Sequence, residues 1–340
     1  MTAKHILVTA VGGDLGQAIV KALRLAPGME THGCDADEQG IAGAFVTSAA
    51  VVPPASQARS YLTVLDRLCR ELRIDAVIPA SEAEIARLAT AGEALPCGAR
   101  IVAQPALWLR TFGDKLKCMR ALEGKLPLAP YADAQDAASV EALVGRTGFP
   151  VMVKPRRSSG SRNMVVARDP QQLAACLSGD SIVQAYLEDP GGEFSVGVFS
   201  SGSFTDAIAF RRELRGVGCS WYAETSDDAE VTDYALGFAA VAQLRGSANV
   251  QVRKTSRGVF LLEVNPRFSS LVAARAYCGF RDVEWSLALA FGAEPAPPSR
   301  PYRRIRFRRF FGELIDAGNG YRSVPEWTPE RMKSAGKGAE

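Results

Sequence analysis

Gln251, Glu263, Asn265 and Arg267 have residue types and a spacing that could do chemistry. They lie in a stretch that reads as two strands joined by a polar turn, with Val250 and Val252 flanking Gln251 and an apolar run from Phe260 to Val264 broken only by Glu263. A carboxylate inside an apolar strand is costly to desolvate unless a cation or a donor compensates it. Gln251, Glu263 and Asn265 could converge their oxygens on one hard cation, with Arg267 binding anionic oxygen close by. That chemistry suits magnesium, which takes one or two protein oxygens together with nucleotide phosphates and keeps some water. An ordinary hairpin with a satisfied polar face would present the same residues.

A second group lies upstream. Val151-Met-Val-Lys154-Pro155 is a short apolar strand ending on a lysine, and the loop that follows, Arg156 to Asn163, is made of cations and small residues that include Ser159 and Gly160. Such a loop can fold over phosphates through its backbone N–H groups. It lacks the Gly-Lys-Ser/Thr ending of a Walker P-loop. Ser181 to Leu187 and then Gly191 to Val198 form an apolar segment, a turn and a strand, which offer a nucleotide base apolar walls and free backbone edges.

In the order and spacing of these segments the chain resembles the ATP-grasp superfamily, and within it the carbamoyl-phosphate-synthetase-like members. The resemblance runs from the N-terminus to about residue 290 and is most specific at Gln251 and Leu262-Glu-Val-Asn-Pro-Arg-Phe-Ser269. It implies ATP and Mg2+ as cofactors, with Mn2+ as the alternative metal, and Glu263, Asn265 and Gln251 as metal ligands. It further implies Arg267 as a phosphate contact, and Lys115 and Lys154 as the two phosphate lysines. Leu187 falls where hinge backbone meets adenine, beside Tyr186, and Glu193 where a carboxylate meets ribose hydroxyls. One position departs from the pattern: Gln184 stands where the hinge acid is commonly Glu, although its carbonyl can still accept from the adenine amino group.

The first hundred residues admit another reading. Ile6 to Val11 is a buried-strand run, a helical pattern follows Gly12-Gly-Asp-Leu-Gly16, and Thr31 to Asp35 reads as a second strand ending on an acid, where a dinucleotide-binding unit places its ribose carboxylate. The G-x-G-x-x-G spacing is incomplete, and the superfamily's N-terminal Rossmann-like domain need not bind dinucleotide. Tyr61 to Leu72 reads as a helix, and Asp75 to Glu82 as a strand leading into a loop and another helix.

At 340 residues the chain exceeds the size at which one core stops growing, and 47% hydrophobic residues allow substantial cores. No apolar run reaches the ~18 residues of a membrane span, and no cleavable export segment is evident, so the expected location is the cytoplasm. Seven scattered cysteines without a C-x-x-C pair suggest reduced thiols. A net charge of +3 is too modest to argue for nucleic acid, which is not an expected partner. The two histidines, His5 and His32, are expected to be structural, which disfavours a histidine triad or metal cage.

Arg211 and Arg212 are candidates for an acidic acceptor or a transferring phosphate, and Cys219 is expected to be inert. Ile305 and Phe307 alternate with Arg304, Arg306 and Arg308 as a half-buried strand with a basic face, after a proline-rich linker from Glu294 to Pro301. The polar end, Met332 to Glu340, is expected to be disordered.

The expected fold class is α/β, turning α+β in the C-terminal half: an ATP-grasp fold with an N-terminal Rossmann-like domain at 1–110. A lid subdomain follows at 111–183, then a C-terminal subdomain with the Mg-ATP site at 184–300, and a basic strand with a tail at 301–340. The expected activity is an ATP-dependent ligase that activates a carboxylate as an acyl phosphate for attack by an amine. Arg267, Lys154 and Arg212 are its candidate catalytic residues. Its partners are ATP and small carboxylate and amine substrates, with a homodimer as a candidate assembly. The alternatives are a carbamoyl-phosphate-synthetase activity, a NAD-dependent enzyme and a non-catalytic nucleotide-binding regulator. The first would require a second ATP-grasp half, and the chain shows no internal repeat.

Overall fold

The computed structural model describes residues 3–41, 46–158, 163–188, 191–215, 219–310, 314–316 and 321–323. Among these the strands form sheets of five, four and six members and one separate hairpin.

The N-terminal part is built from β1 (Lys4–Val8), α1 (Asp14–Leu23), β2 (Met29–Asp35), α2 (Glu38–Ile41), β3 (Ala49–Val51), α3 (Ala58–Glu71), β4 (Ala76–Ile78), α4 (Glu82–Ala89) and β5 (Arg100–Ile101). Its strands are parallel in the order β3-β2-β1-β4-β5. Both faces are covered, so Ile6–Val8 of β1 and all of β4 are apolar and buried. One layer packs Ile6, Val8, Leu15 and Ile19 together, and the other packs Leu7, Tyr61 and Leu65. The glycine turn after β1 packs closely on the segment after β2. A Cβ on Gly12 would sit 2.6 Å from the Gly40 backbone, and Asp35 accepts from the Gly12 amide at 2.9 Å. The carboxylate that could have read a ribose therefore closes the turn instead.

Next come α5 (Ala106–Phe112), α6 (Lys115–Leu122), β6 (Tyr131–Asp133), α7 (Ala137–Thr147), β7 (Val151–Pro155), β8 (Val165–Ala167), α8 (Pro170–Cys176) and β9 (Ser181–Ala185). Here the sheet order is β6-β9-β7-β8 and every pairing is antiparallel. Strands β10 (Glu193–Ser200), β11 (Thr205–Arg215) and β12 (Cys219–Ser226) are followed by α9 (Ala229–Val241), β13 (Gly246–Thr255) and β14 (Gly258–Asn265). Helices α10 (Val272–Cys278) and α11 (Asp282–Ala290), then β15 (Arg306–Arg308), complete the largest sheet, in the order β14-β13-β10-β11-β12-β15. A hairpin of β16 (Leu314–Asp316) and β17 (Tyr321–Ser323) comes last.

The packing crosses the expected boundaries. Strand β9 spans the 183/184 division. Helix α6 contributes Leu116, Met119 and Leu122 to the core beneath the largest sheet, together with Phe238 of α9. Val272, Ala276, Val283 and Leu287 of α10 and α11 pack on the N-terminal layer. Strand β15 belongs to the largest sheet through β12, with Ile305 and Phe307 turned inward and Arg304, Arg306 and Arg308 exposed. The proline-rich stretch before it is anchored, because Arg300 and Tyr302 both bond the Asp206 carboxylate.

A fully buried ion pair braces this region. Arg275 of α10 lies 2.8 Å from Asp282 of α11. Asp282 accepts from Ser247 of β13 at 2.7 Å, and Arg275 reaches Asn249, to which Ser195 also donates. A Cβ on Gly197 would lie 2.5 Å from the Arg275 side chain, so β10 must be glycine there.

Candidate active site

Lys115 is the first residue of α6. Asp114 caps that helix by accepting from the Leu116 and Lys117 amides at 3.1 and 3.2 Å. The same carboxylate receives two bonds from Arg156, at 3.1 and 2.9 Å, just after β7. One acid thus ties the start of α6 to the end of the strand that carries Lys154. Burial raises the Asp114 pKa, but Arg156, the backbone donors and Arg157 outweigh it and hold the carboxyl below its ordinary value. Asp114 and Arg156 were missed in the sequence, although an Asp directly before a Lys-Leu-Lys helix start is a capping signal.

The Lys115 ammonium donates to the Ser158 carbonyl at 2.7 Å and lies 3.4 Å from a Glu263 oxygen. Lys154 is buried and donates to the side-chain carbonyl of Gln184 at 2.7 Å. Desolvation lowers its pKa to about 8 against the pull of Glu263, and Lys115 lowers it further. The lysine's hydrogen-bond partner is a neutral amide, so it stands ready for an anion. The Gln184 carbonyl expected to accept from adenine is therefore taken by Lys154, and the buried Gln184 amide nitrogen is without a hydrogen-bond partner.

Glu193 opens β10 and pairs in register with Arg212 on β11 and Arg253 on β13. Arg212 donates to one oxygen (3.0 Å from Nε), and Arg253 to the other at 2.9 Å. Burial would raise this acid's pKa, but the two guanidiniums hold it below the usual carboxylate range. The oxygens expected to meet ribose are thus both engaged, and Arg253 also donates to the Leu187 carbonyl at 3.0 Å. Arg212 faces Glu193 and Gln251, donating to the Gln251 carbonyl at 2.6 Å. In this arrangement Arg212 is not free for a phosphate, nor Gln251 for a metal. Arg253 carried no motif signal.

Gln251 and Glu263 are register partners, and Asn249 pairs with Asn265. A bulge beside Gln251/Val252 shifts the ladder next to Glu263; such irregularities re-aim side chains near sites. The Asn265 amide donates to Glu263 at 3.2 Å, which leaves its carbonyl oxygen for another partner. A carboxylate and an amide carbonyl side by side, next to two lysines, fit a hard cation that bridges protein and phosphate. Arg267 donates to the Phe268 carbonyl at 3.0 Å and lies 3.4 Å from Glu82 at the start of α4.

Two cavities meet at Glu263. One, of about 70 Å³, lies between the four- and six-stranded sheets and is lined by Met152, Lys154, Gln184, Tyr186, Leu187 and Glu193. The other, of about 570 Å³, lies between the start of α4 and the end of β14; Glu82, Ile85, Lys115, Asn265 and Arg267 line it. Lys115, Lys154, Gln184, Tyr186, Leu187, Glu193, Gln251, Glu263, Asn265 and Arg267 all line these two spaces. Ser159 and Gly160 lie outside the described residues, as does the tail from 324.

A family model described as ATP-grasp in the biosynthetic pathway with Ter operon matches residues 178–310. The chain is 27% identical over 160 residues to the arginine-specific large chain of carbamoyl phosphate synthase from Geobacillus stearothermophilus, covering 43% of this chain and 15% of that protein. It is 25% identical over 158 residues to a D-alanine–D-alanine ligase from Alkalilimnicola ehrlichii, covering 42% of this chain and 51% of the relative. It therefore spans about half or less of these relatives' length. Its fold is similar to that of a solved N5-carboxyaminoimidazole ribonucleotide synthetase in its ADP complex, with a TM-score of 0.70 at 16% identity, covering 90% of this chain and 81% of that one.

Proposed function

The chain belongs to the ATP-grasp superfamily, and from that premise we propose that it is an ATP-dependent carboxylate–amine ligase working through an acyl phosphate. The observation that carries this reading is the convergence on Glu263 of two lysines and two adjoining cavities. The narrow cavity would take the nucleoside, with the phosphates directed to Lys154 and Lys115. At about 70 Å³ it is smaller than the few hundred Å³ of a typical ligand site, so the two sheets must separate to admit it. That motion would pull Arg253 of β13 from the Leu187 carbonyl and so open the wall of the narrow cavity.

Glu263 and the Asn265 carbonyl would hold Mg2+, which supplies neutralisation of phosphate charge when bound. The acceptor acid would lie in the wide cavity, its carboxylate near Arg267. A carboxylate oxygen attacks the γ-phosphorus, the bond to the ADP oxygen breaks, and Lys115 and Lys154 stabilise the charge on the transferring group. An amine then attacks the acyl carbon, loses a proton and expels phosphate. Glu82, more than half exposed at the cavity wall opposite Arg267, is placed to receive a cationic amine. A relative at 25% identity is named as a ligase of D-alanine to D-alanine, which supports an amine as the second substrate.

Incubation with Mg-ATP and pools of small acids and amines, read by ADP release and product mass, tests the proposal. A new mass equal to acid plus amine less water, with one ADP released, is expected. ATP binding without ADP release in any pool would point to a non-catalytic binder.

A further inference from the structure

We propose that His5, Glu30 and His32 form a binding site for a zinc-type divalent transition metal, separate from the nucleotide-binding region. The chain has two histidines among 340 residues, and folding brings them into contact. Strands β1 and β2 run parallel with His5 opposite Glu30 and Leu7 opposite His32. The period-two alternation of strands then puts His5, Glu30 and His32 on one face. His5 Nδ1 lies 3.0 Å from His32 Nε2 and 3.7 Å from a Glu30 oxygen. One ligand atom from each of the three residues falls within 4.8 Å of the others.

Those separations suit a tetrahedral ion. Bonds of about 2.0–2.1 Å to imidazole nitrogen set neighbouring ligand atoms about 3.3 Å apart, so small side-chain rotations complete the geometry. The outer partner is also in place. His32 Nδ1 lies 2.8 Å from Ser48 Oγ, and donating its N–H there leaves the Nε2 lone pair directed at His5 and Glu30. Metal-bound histidines are held in their tautomer by this kind of bond from the second nitrogen. The His5 and Glu30 side chains are about one third exposed, which gives an ion access and leaves room for a water as fourth ligand.

Two imidazoles with one carboxylate select zinc, cobalt, nickel or copper over magnesium, which prefers oxygen. The cluster sits towards the amino ends of β1 and β2, whereas Ser81 and Glu82 follow the carboxyl end of β4 in the same parallel sheet. It is therefore remote from the wide cavity and independent of the ligase reading. A bound ion would clamp β1 to β2, and by mass action would stabilise the fold in proportion to its occupancy.

The test is a Co2+ titration of chelator-treated full-length protein in millimolar Mg2+, which saturates oxygen sites, followed by displacement with Zn2+. The expected result is one equivalent per chain with the visible absorption of tetrahedral cobalt, bleached by zinc. His5→Gln and Glu30→Gln, both at partly exposed positions, should weaken binding about tenfold or more, with circular dichroism reporting the fold. Glu263→Gln should leave the titration unchanged. Failure of the wild type to bind one saturable equivalent overturns the proposal. So does binding that survives both His5→Gln and Glu30→Gln, or binding that disappears with Glu263→Gln.

Discussion

Raising the pH from 7 to 9 is expected to weaken ADP binding about tenfold, and the cause is Lys154. Desolvation holds this lysine at a pKa of about 8, where 10.5 is ordinary. Glu263 and Glu193 act to raise it, while Lys115 and Arg253 lower it. A phosphate group beside the ammonium would raise the pKa again, so binding takes up a proton wherever the free protein has lost one. Affinity should therefore be flat below pH 8 and fall above it. At pH 9 about one free molecule in eleven keeps the charge, a penalty of about 1.4 kcal/mol. Stability moves the opposite way. With a folded pKa below the unfolded one, burial of Lys154 costs stability below pH 8, and that cost is relieved as pH rises from 8 through 10.5. Because the terminal phosphate of ADP has its second pKa near about 6, its own titration does not intrude. Calorimetry between pH 7 and 9.5, in buffers of different ionisation enthalpy, should show uptake of about one proton at the upper end. Lys154→Met should bind weakly and without that slope. Gln184→Glu would put a carboxylate where the amide carbonyl now lies 2.7 Å from the ammonium, moving the break to higher pH. A wild-type affinity that is flat from pH 7 to 9, or an unchanged slope in Lys154→Met, would refute the reasoning.

Three further outcomes are expected. Glu263→Gln should fold normally by circular dichroism yet lose about two orders of magnitude in turnover, since it removes the one carboxylate facing both Lys115 and Lys154; near-normal turnover would take Glu263 out of the reacting centre. Glu193→Gln should cost about 2–3 kcal/mol in urea unfolding at neutral pH, by leaving Arg212 and Arg253 underpaired. Because the folded pKa of Glu193 is lowered, that contribution is present above the ordinary carboxylate range and fades as pH falls through the folded value, so the two proteins should converge in acid. Asp282→Ala should destabilise by about 3–5 kcal/mol by stranding buried Arg275. The double replacement Arg275→Met with Asp282→Leu should cost less than the single one, and an equal or larger loss would show that the charges themselves are needed.

Local pattern revealed the strands that carry Gln251, Glu263 and Lys154. The alternation around Gln251 and the apolar run to Val264 marked the hairpin of β13 and β14, while the register that pairs Gln251 with Glu263 came only with the fold. An apolar strand ending on Lys154 was equally legible, because the strand period is a property of neighbouring residues, whereas the helix that Asp114 caps at Lys115 was not read from the sequence. What each side chain touches was decided elsewhere. Glu193 meets Arg253 across 60 residues of chain and Arg212 across 19, because strands β11 and β13 flank β10 in one register. Gln184 presents its carbonyl to Lys154 across 30 residues, on neighbouring antiparallel strands. His5 and His32 read separately as strand residues, and only the parallel pairing of β1 with β2 makes them neighbours of Glu30. Periodicity says which face a residue occupies, whereas the charge it meets there depends on strand order and register, and these are set by the packing of the whole sheet.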